Sequence, residues 1–217
     1  MNKLTLREPG SAITHFIGFL LSILAGIPLL IKAIQQSKAA YIISFSVFFV
    51  SIILLYAAST LYHSLDISVK TNQRLKKFDH IMISVLIAGT YTPICAVSIK
   101  GKIGIALLST VWAFAALGIL MKIFWVNCPK WISSVLYIAM GWTCVLAFSK
   151  LYSSLSSAAF WWLLIGGIIY TLGGILYAFK FSAFNKKCKY FGSHEIFHLF
   201  VMGGSACHYV VMYLLFP

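Results

Sequence analysis

Two histidines near the end of the chain have a spacing that suits metal binding. They stand in the stretch HEIFH, residues 194–198, where His194 and His198 are four residues apart and Glu195 directly follows the first. On a helix, side chains four residues apart differ by only about 40° in direction, so both imidazoles can reach one ion. H-E-x-x-H is also the pattern of soluble zinc proteases, in which the glutamate is the general base.

The composition argues against a soluble protease. Of the 217 residues, 61% are hydrophobic and 10% are charged, whereas a soluble domain carries about 25% charged residues. We therefore predict an all-α integral membrane protein and interpret the protease match as coincidental. The net charge of +13 does not predict a nucleic-acid partner. The basic residues flank apolar stretches, where such residues set orientation and contact anionic lipid headgroups.

Seven stretches are long and apolar enough to cross a membrane, which takes about 20 residues per helix. The connections between them are polar and too short to form a second domain. The sequence therefore predicts one seven-helix transmembrane domain covering residues 1–217. The predicted spans are residues 12–31, 41–63, 79–99, 103–123, 131–149, 159–180 and 194–216.

The distribution of lysine and arginine predicts the orientation of this bundle. The N-terminus and the second, fourth and sixth connections hold two, four, two and four of these residues, which is 12 of the 17 in the chain. Connections rich in lysine and arginine tend to stay in the cytoplasm. The N-terminus is therefore predicted to be cytoplasmic and the C-terminus to lie outside.

This topology places polar residues from three helices at one depth, on the cytoplasmic side. Helix two ends near His63, helix three begins near Asp79, and helix seven begins near His194 and His198. Ionisable residues inside a membrane are energetically costly and usually face the bundle interior. Ser59 precedes His63 by four residues, so its hydroxyl shares the same helix face.

Three imidazoles are the ligand set of catalytic rather than closed structural zinc, because the fourth tetrahedral position stays open for water. Metal coordination would lower the pKa of that water toward about 7. Asp79 could orient the water or accept its proton. The alternative is a hydrogen-bonded packing cluster that holds no metal.

Three further histidines are placed by the same topology. His15 and His80 also lie near the cytoplasmic ends of spans, which makes them candidate outer-shell partners of the metal ligands. His208 lies ten residues beyond His198, about 15 Å along the helix. We therefore predict a packing or second-site role for His208.

These residues resemble the pattern of the progestin and adipoQ receptor superfamily. The pattern is S-x-x-x-H at the end of helix two, an aspartate opening helix three and H-x-x-x-H opening helix seven. The short N-terminus, "ITHFIG" at 13–18 and "GTYTP" at 89–93 resemble its bacterial hemolysin III branch. The resemblance implies a multi-pass protein of the bacterial plasma membrane that holds Zn²⁺ through His63, His194 and His198, with Asp79 and Ser59 near the metal-bound water.

The resemblance leaves three functions open. The first is a zinc-dependent hydrolase of a lipid amide or ester, related to ceramidases, whose partners are membrane lipids and a lipid substrate or fatty acid. The second is a non-enzymatic lipid-sensing or membrane-homeostasis protein with structural zinc. The third is a pore-forming cytolysin. We favour Asp79 as the acid or base over Glu195, since related receptors commonly have glutamine at the position of Glu195. Glu195 is the alternative acid or base, and otherwise an outer-shell residue that interacts with basic loop residues or water.

Overall fold

A computed structural model describes residues 6–179 and 192–217 as helices joined by short turns. Within these two ranges there is no strand, and seven helices are long and apolar enough to cross a membrane, which confirms the predicted fold class. The direction of crossing stays a prediction. The helices are α1 (Pro9–Gln35), α2 (Ala39–Ser64), α3 (Val69–Ser98), α4 (Lys102–Phe124), α5 (Lys130–Ser154), α6 (Ser157–Phe179) and α7 (Ser193–Leu214). The orientation argument also used Lys3, Lys180, Lys186, Lys187 and Lys189, which lie outside the described residues.

Helix α3 is longer than its apolar span. It begins at Val69, whereas the apolar stretch was predicted to begin at residue 79. Ser68 caps this start, since its Oγ accepts a hydrogen bond from the backbone N of Thr71 at 3.2 Å, and such a cap favours helix initiation. The additional turns are polar, and the Nζ of Lys77 donates to the carbonyl of Ile123 at the end of α4. Hydropathy locates the apolar part of a helix but not its polar extension.

Two helices change their winding locally. In α3, Pro93 is followed by one π-helical turn at Ile94–Ser98, and α5 contains a 3₁₀ segment at Thr143–Ala147. Gly101 joins α3 to α4 with a φ of +86°, a conformation that favours glycine because other residues clash there. Both irregular segments lie inside the membrane spans of α3 and α5.

The helices pack mostly against their sequence neighbours, and α1 also packs against α7, so the bundle closes on itself. Helix α3 is the most buried of the seven. Many large apolar side chains on the outer faces are exposed, as expected for a surface that faces lipid. The end of α2 and the beginnings of α1 and α7 meet at one end of the bundle, which we call the histidine end.

The glycine-rich stretch at 164–177 in α6 serves both helix packing and a cavity. A Cβ added at Gly166 or Gly173 would lie 2.6 or 2.8 Å from side chains of α7, so glycine allows the two helices to approach closely. Gly167 and Gly174 instead line an internal cavity. The small residues therefore bring α6 against α7 on one side and leave space on the other.

Candidate metal centre

Three histidines from two helices meet at the histidine end. His63 lies in the last turn of α2, and His194 and His198 lie in the first turns of α7. One ring nitrogen from each lies within 4.8 Å of the other two, and the Nε2 atoms of His63 and His194 are 3.4 Å apart. His63 and His198 are buried, and His194 is half-buried. The three residues predicted as metal ligands are thus brought together.

One spacing between the ring nitrogens matches that expected on a tetrahedral divalent ion. With metal–nitrogen distances of about 2.0–2.1 Å, two nitrogens on such an ion stand about 3.4 Å apart. This equals the separation of the Nε2 atoms of His63 and His194. Imidazole ligands suit zinc, copper, iron and nickel alike. The donor set therefore defines a candidate transition-metal site without singling out one element.

A carboxylate from the start of the chain fixes the tautomer of His63. Glu8, directly before α1, places its Oε2 atom 2.5 Å from Nδ1 of His63. A carboxylate only accepts hydrogen bonds, so Nδ1 carries the proton and Nε2 presents its lone pair to the cluster. The hydrogen bond from His63 lowers the pKa of the Glu8 carboxyl group. A carboxylate on the second ring nitrogen is a common support of zinc-bound histidines.

A hydroxyl of α1 plays the equivalent part for His198. Thr14 Oγ1 lies 3.2 Å from Nδ1 of His198, and 2.9 and 3.0 Å from the carbonyls of Gly10 and Ser11. The single hydroxyl proton goes to a carbonyl, so the Thr14 oxygen accepts from the imidazole. Nδ1 of His198 is therefore the protonated nitrogen, and Nε2 is left as the ligand atom.

His15 contacts the candidate metal ligand His198 by ring stacking rather than by a hydrogen bond. Its ring lies on that of His198, with centroids 3.5 Å apart and planes 12° from parallel. Both ring nitrogens of His15 and Nδ1 of His194 are buried without a hydrogen-bond partner within the described part of the chain. Unpaired buried polar atoms are rare in proteins, and their concentration beside the cluster is a sign that this region receives a ligand, ion or water.

Asp79, His80 and Ser59 lie along one wall of the space beside the cluster. Asp79 is buried, and its Oδ2 atom lies 3.0 Å from Nδ1 of His80, which leaves Oδ1 available. The Oγ atom of Ser59 is buried and has no hydrogen-bond partner among the residues the structure covers. The positions suit the predicted roles near a metal-bound water, and those roles stay predictions.

The carboxylate of Glu195 lines the vestibule side of the cluster and is engaged by α1 and by the start of α7. Its Oε1 atom accepts a hydrogen bond from Ser11 at 2.5 Å, and its Oε2 atom accepts one from the backbone N of Gly192 at 2.7 Å. The second bond satisfies a backbone donor at the start of α7 that has no partner within the helix. Glu195 thus caps α7 and connects it to α1, which argues against its service as a general base.

The cluster opens into an apolar cavity inside the bundle. The cavity has a volume of about 220 Å³ and extends from His194 and His198 toward His208, between α3, α5, α6 and α7. Aliphatic and aromatic side chains form most of its wall. Its shape and lining suit a hydrocarbon chain, because small-molecule sites are mostly apolar with a few placed polar groups.

A wider polar vestibule reaches the cluster from the histidine end. Lys76, Lys122 and Asn127 line it together with His63 and His194. His194 lines both the vestibule and the apolar cavity. The candidate metal site therefore lies at the junction of a polar space and an apolar space.

Sequence reasoning did not identify Glu8 or Thr14. Both supports depend on how α1 is rotated toward α2 and α7, and hydropathy does not specify that rotation. Glu8 could have been suspected, because the chain has only four acidic residues and this one lies seven residues before His15, about two helical turns. Thr14 has no comparable signal.

The fold and the site define a class of multi-pass membrane proteins in which three histidines from the ends of two helices can hold one metal ion. Within that class, the chain belongs to the Haemolysin-III related family, whose model matches residues 4–209, which confirms the family predicted from the motifs. It is 46% identical over 200 residues to "Hemolysin-3 homolog" of Bacillus subtilis, covering 92% of this chain and 90% of that protein. It is 40% identical over 217 residues to "Hemolysin-3" of Bacillus cereus, covering 99% and 95%.

A more distant similarity extends to animal receptors. The chain is 26% identical over 231 residues to "Adiponectin receptor protein" of Drosophila melanogaster, covering 93% of this chain and 49% of that receptor. The bacterial relatives and the seven apolar helices together indicate a multi-pass membrane protein, consistent with the plasma membrane.

Proposed function

We propose that the protein is a zinc-dependent hydrolase of a lipid amide or ester, acting at the cytoplasmic side of the membrane. The observation that carries this proposal is the position of the histidine cluster, where the polar vestibule meets the apolar cavity at His194. Hydrolysis of a lipid amide or ester requires that water reach the carbonyl carbon of the acyl chain. The vestibule supplies a path for water, and the cavity has room for the chain.

The residues around the cluster divide the chemistry among them. A divalent ion held by His63, His194 and His198 would polarise the substrate carbonyl and activate water. Asp79 accepts a proton at Oδ1 and returns it to the leaving amine or alcohol, as a general base and then a general acid. Nδ1 of His80 lies 3.0 Å from the other oxygen of that carboxylate. Ser59 has an unused hydroxyl that can bind a polar group of the substrate.

A structural metal is the second candidate, and the contacts of α1 support it. Glu8 bonds to His63 and Thr14 contacts His198, so an ion bound by the histidines would connect α1, α2 and α7. In this alternative the ion stabilises the bundle, and its removal lowers the melting temperature without loss of any catalytic activity.

The test measures metal content and lipid turnover on the same detergent-purified protein. Mass spectrometry determines bound metal, and release of fatty acid is followed with a panel of N-acyl and O-acyl lipids. The variants are His63→Ala, Asp79→Asn and Asp66→Asn. Asp66 is the matched control. Its exposed carboxylate lies in the α2–α3 turn, accepts a hydrogen bond from Asn72 and does not contact the cluster.

We expect His63→Ala to lose both metal and turnover. Asp79→Asn should keep the metal and lose about 10²–10⁴-fold in turnover, the usual contribution of a general acid or base. Asp66→Asn should keep both. Metal without any lipid product would favour the structural alternative, and folded wild-type protein free of metal would overturn both candidates.

A further inference from the structure

A second group of polar side chains lies in the far part of the cavity, away from the histidine cluster. We call Tyr56, Tyr170, Ser205 and His208 the deep polar group. The hydroxyl of Tyr56 donates to Ser205 Oγ at 2.8 Å, and the hydroxyl of Tyr170 lies 2.9 Å from the same oxygen. The ring of His208 stacks on that of Tyr170, with centroids 5.1 Å apart. Tyr170 and His208 line the cavity.

The hydroxyl groups of Tyr56, Tyr170 and Ser205 carry three protons, and one of these protons has no acceptor within the group. The proton of Tyr56 goes to Ser205, and one proton from either Tyr170 or Ser205 serves the contact between those two. The remaining proton has no acceptor among the described residues. When Ser205 donates to Tyr170, the free O–H belongs to Tyr170, which lines the cavity. In that arrangement the cavity wall has an available donor at Tyr170.

His208 supplies an available acceptor beside that donor. Its Nδ1 atom lies 2.7 Å from the carbonyl oxygen of Gly204. A carbonyl only accepts hydrogen bonds, so Nδ1 is protonated, and in the neutral ring Nε2 is a bare acceptor. The Nδ1–Cε1 edge packs near Gly166, and Nε2 has no hydrogen-bond partner in the described ranges. The side chain is 7% exposed and lines the cavity.

The distance from the histidine cluster to the deep polar group follows from helix geometry. Ser205 and His208 are seven and ten residues beyond His198 in α7, which corresponds to about 10–15 Å. Tyr56 precedes His63 by seven residues in α2, which also gives about 10 Å. An extended hydrocarbon advances about 1.25 Å per carbon, from the C–C bond length and the tetrahedral angle. About 8–12 carbons therefore separate the two polar regions.

We propose that the cavity binds an acyl chain that carries a hydroxyl group about 8–12 carbons from its carbonyl. The hydroxyl accepts a hydrogen bond from Tyr170 and donates one to Nε2 of His208. A hydroxyl is the smallest group that does both. A methylene at this position leaves the donor and the acceptor without partners in apolar surroundings, which disfavours the unsubstituted chain. The inference rests on the proposed function only in placing an acyl chain in the cavity, and turnover is not required.

The test compares the binding of three fatty acids to the detergent-purified, zinc-loaded full chain. The probes are dodecanoic acid, 12-hydroxydodecanoic acid and 2-hydroxydodecanoic acid, each competing with radiolabelled dodecanoic acid. We expect the 12-hydroxy acid to bind about fivefold or more tightly than dodecanoic acid. The 2-hydroxy acid has the same composition with its hydroxyl at the wrong end, and should show no such preference.

Two variants remove the donor and the acceptor separately. Tyr170→Phe deletes only the hydroxyl, and His208→Phe deletes the ring nitrogens. Each should reduce the preference for the 12-hydroxy acid to about one. Tyr209→Phe is the matched control, because Tyr209 is the next residue in α7 but does not line the cavity, and it should keep the preference. Tyr170→Phe preserves the ring that packs on Gly204, so the test does not depend on His208→Phe folding.

The outcomes separate this inference from the proposed function. Equal binding of all three acids by the wild type would overturn the inference and leave the acyl cavity intact. Retention of the preference in folded Tyr170→Phe would also overturn it. Failure of every probe to bind would overturn both the inference and the placement of an acyl chain in the cavity.

Discussion

The histidine cluster and the deep polar group use the same kinds of residue and arrive at different chemistry. At the cluster, Nδ1 of His63 bonds to Glu8, directly before α1, and Nδ1 of His198 bonds to Thr14 in α1. Their free nitrogens converge with a third imidazole. At the deep polar group, Nδ1 of His208 bonds to the carbonyl of Gly204 in its own helix. A single imidazole then faces the cavity as an acceptor.

The difference shows that the partner of Nδ1 and the number of converging helices decide the role of a buried histidine. Bonds to a neighbouring helix orient a ligand relative to other ligands, which metal binding requires. A bond to the preceding turn of the same helix orients the ring only relative to that helix. Such a histidine suits recognition of a single hydrogen-bonding group.

The largest expected effect separates the two regions by metal content. His194→Ala/His198→Ala should lose the metal entirely, because one imidazole cannot hold an ion that needs at least three protein ligands. His208→Ala should keep it. Mass spectrometry of purified protein measures both, and loss of metal from a folded His208→Ala variant would show that the two regions are not separate.

A smaller effect is expected at the outer shell. Glu8→Ala should weaken metal binding by about 10–100-fold, since the carboxylate orients His63 and raises its basicity. Competition with a calibrated chelator measures the affinity. Asp66→Ala removes a carboxylate that bonds to Asn72 instead and should leave the affinity unchanged. Equal affinities in the two variants would mean that Glu8 does not support the site.

The deep polar group should respond through stability rather than metal. A Cβ at Gly204 would lie 2.7 Å from the ring of Tyr170, whereas a Cβ at Gly203 would come no closer than 3.6 Å to Ile169. Gly204→Ala should therefore cost about 1–3 kcal/mol by overpacking, and Gly203→Ala should be near neutral. Thermal melting with the metal content unchanged checks this, and equal melting temperatures for the two variants would contradict the described packing.

The smallest effect is expected for Glu195→Gln. Glutamine keeps an acceptor for the backbone N of Gly192, so the cap of α7 should weaken by less than about 1 kcal/mol. Metal content and any lipid turnover should stay at the wild-type level. If turnover falls sharply while the metal is retained, Glu195 rather than Asp79 is the acid or base.

Much of the fold and the ligand set followed from the sequence for clear physical reasons. A membrane span needs a long apolar run, so hydropathy alone located seven helices. The histidines could be grouped because span ends have a defined depth and because a spacing of four places His194 and His198 on one helix face. Predicting the candidate cluster required only the depth of the span ends and this spacing.

The hydrogen-bonding partners Glu8 and Thr14 could not be predicted, because they depend on helix rotation and side-chain reach. Helix α1 is apolar on most of its faces, so no stripe indicates which face meets α7. Lys122 is a similar case. Lys122 was counted in the fourth connection when the orientation was predicted. In the structure its side chain is buried in the last turn of α4, and its Nζ atom donates to Ser133 Oγ at 2.5 Å.

The contact between the first and last helices has a consequence for how the protein is made. A chain grows from its N-terminus, so Glu8, Thr14 and His63 are in the membrane before His194 and His198 leave the ribosome. Until α7 inserts, one side of the bundle is open and the candidate site has a single imidazole. An ion that needs all three can be captured only after α7 has inserted, so metal occupancy would distinguish chains that contain α7 from those truncated before it.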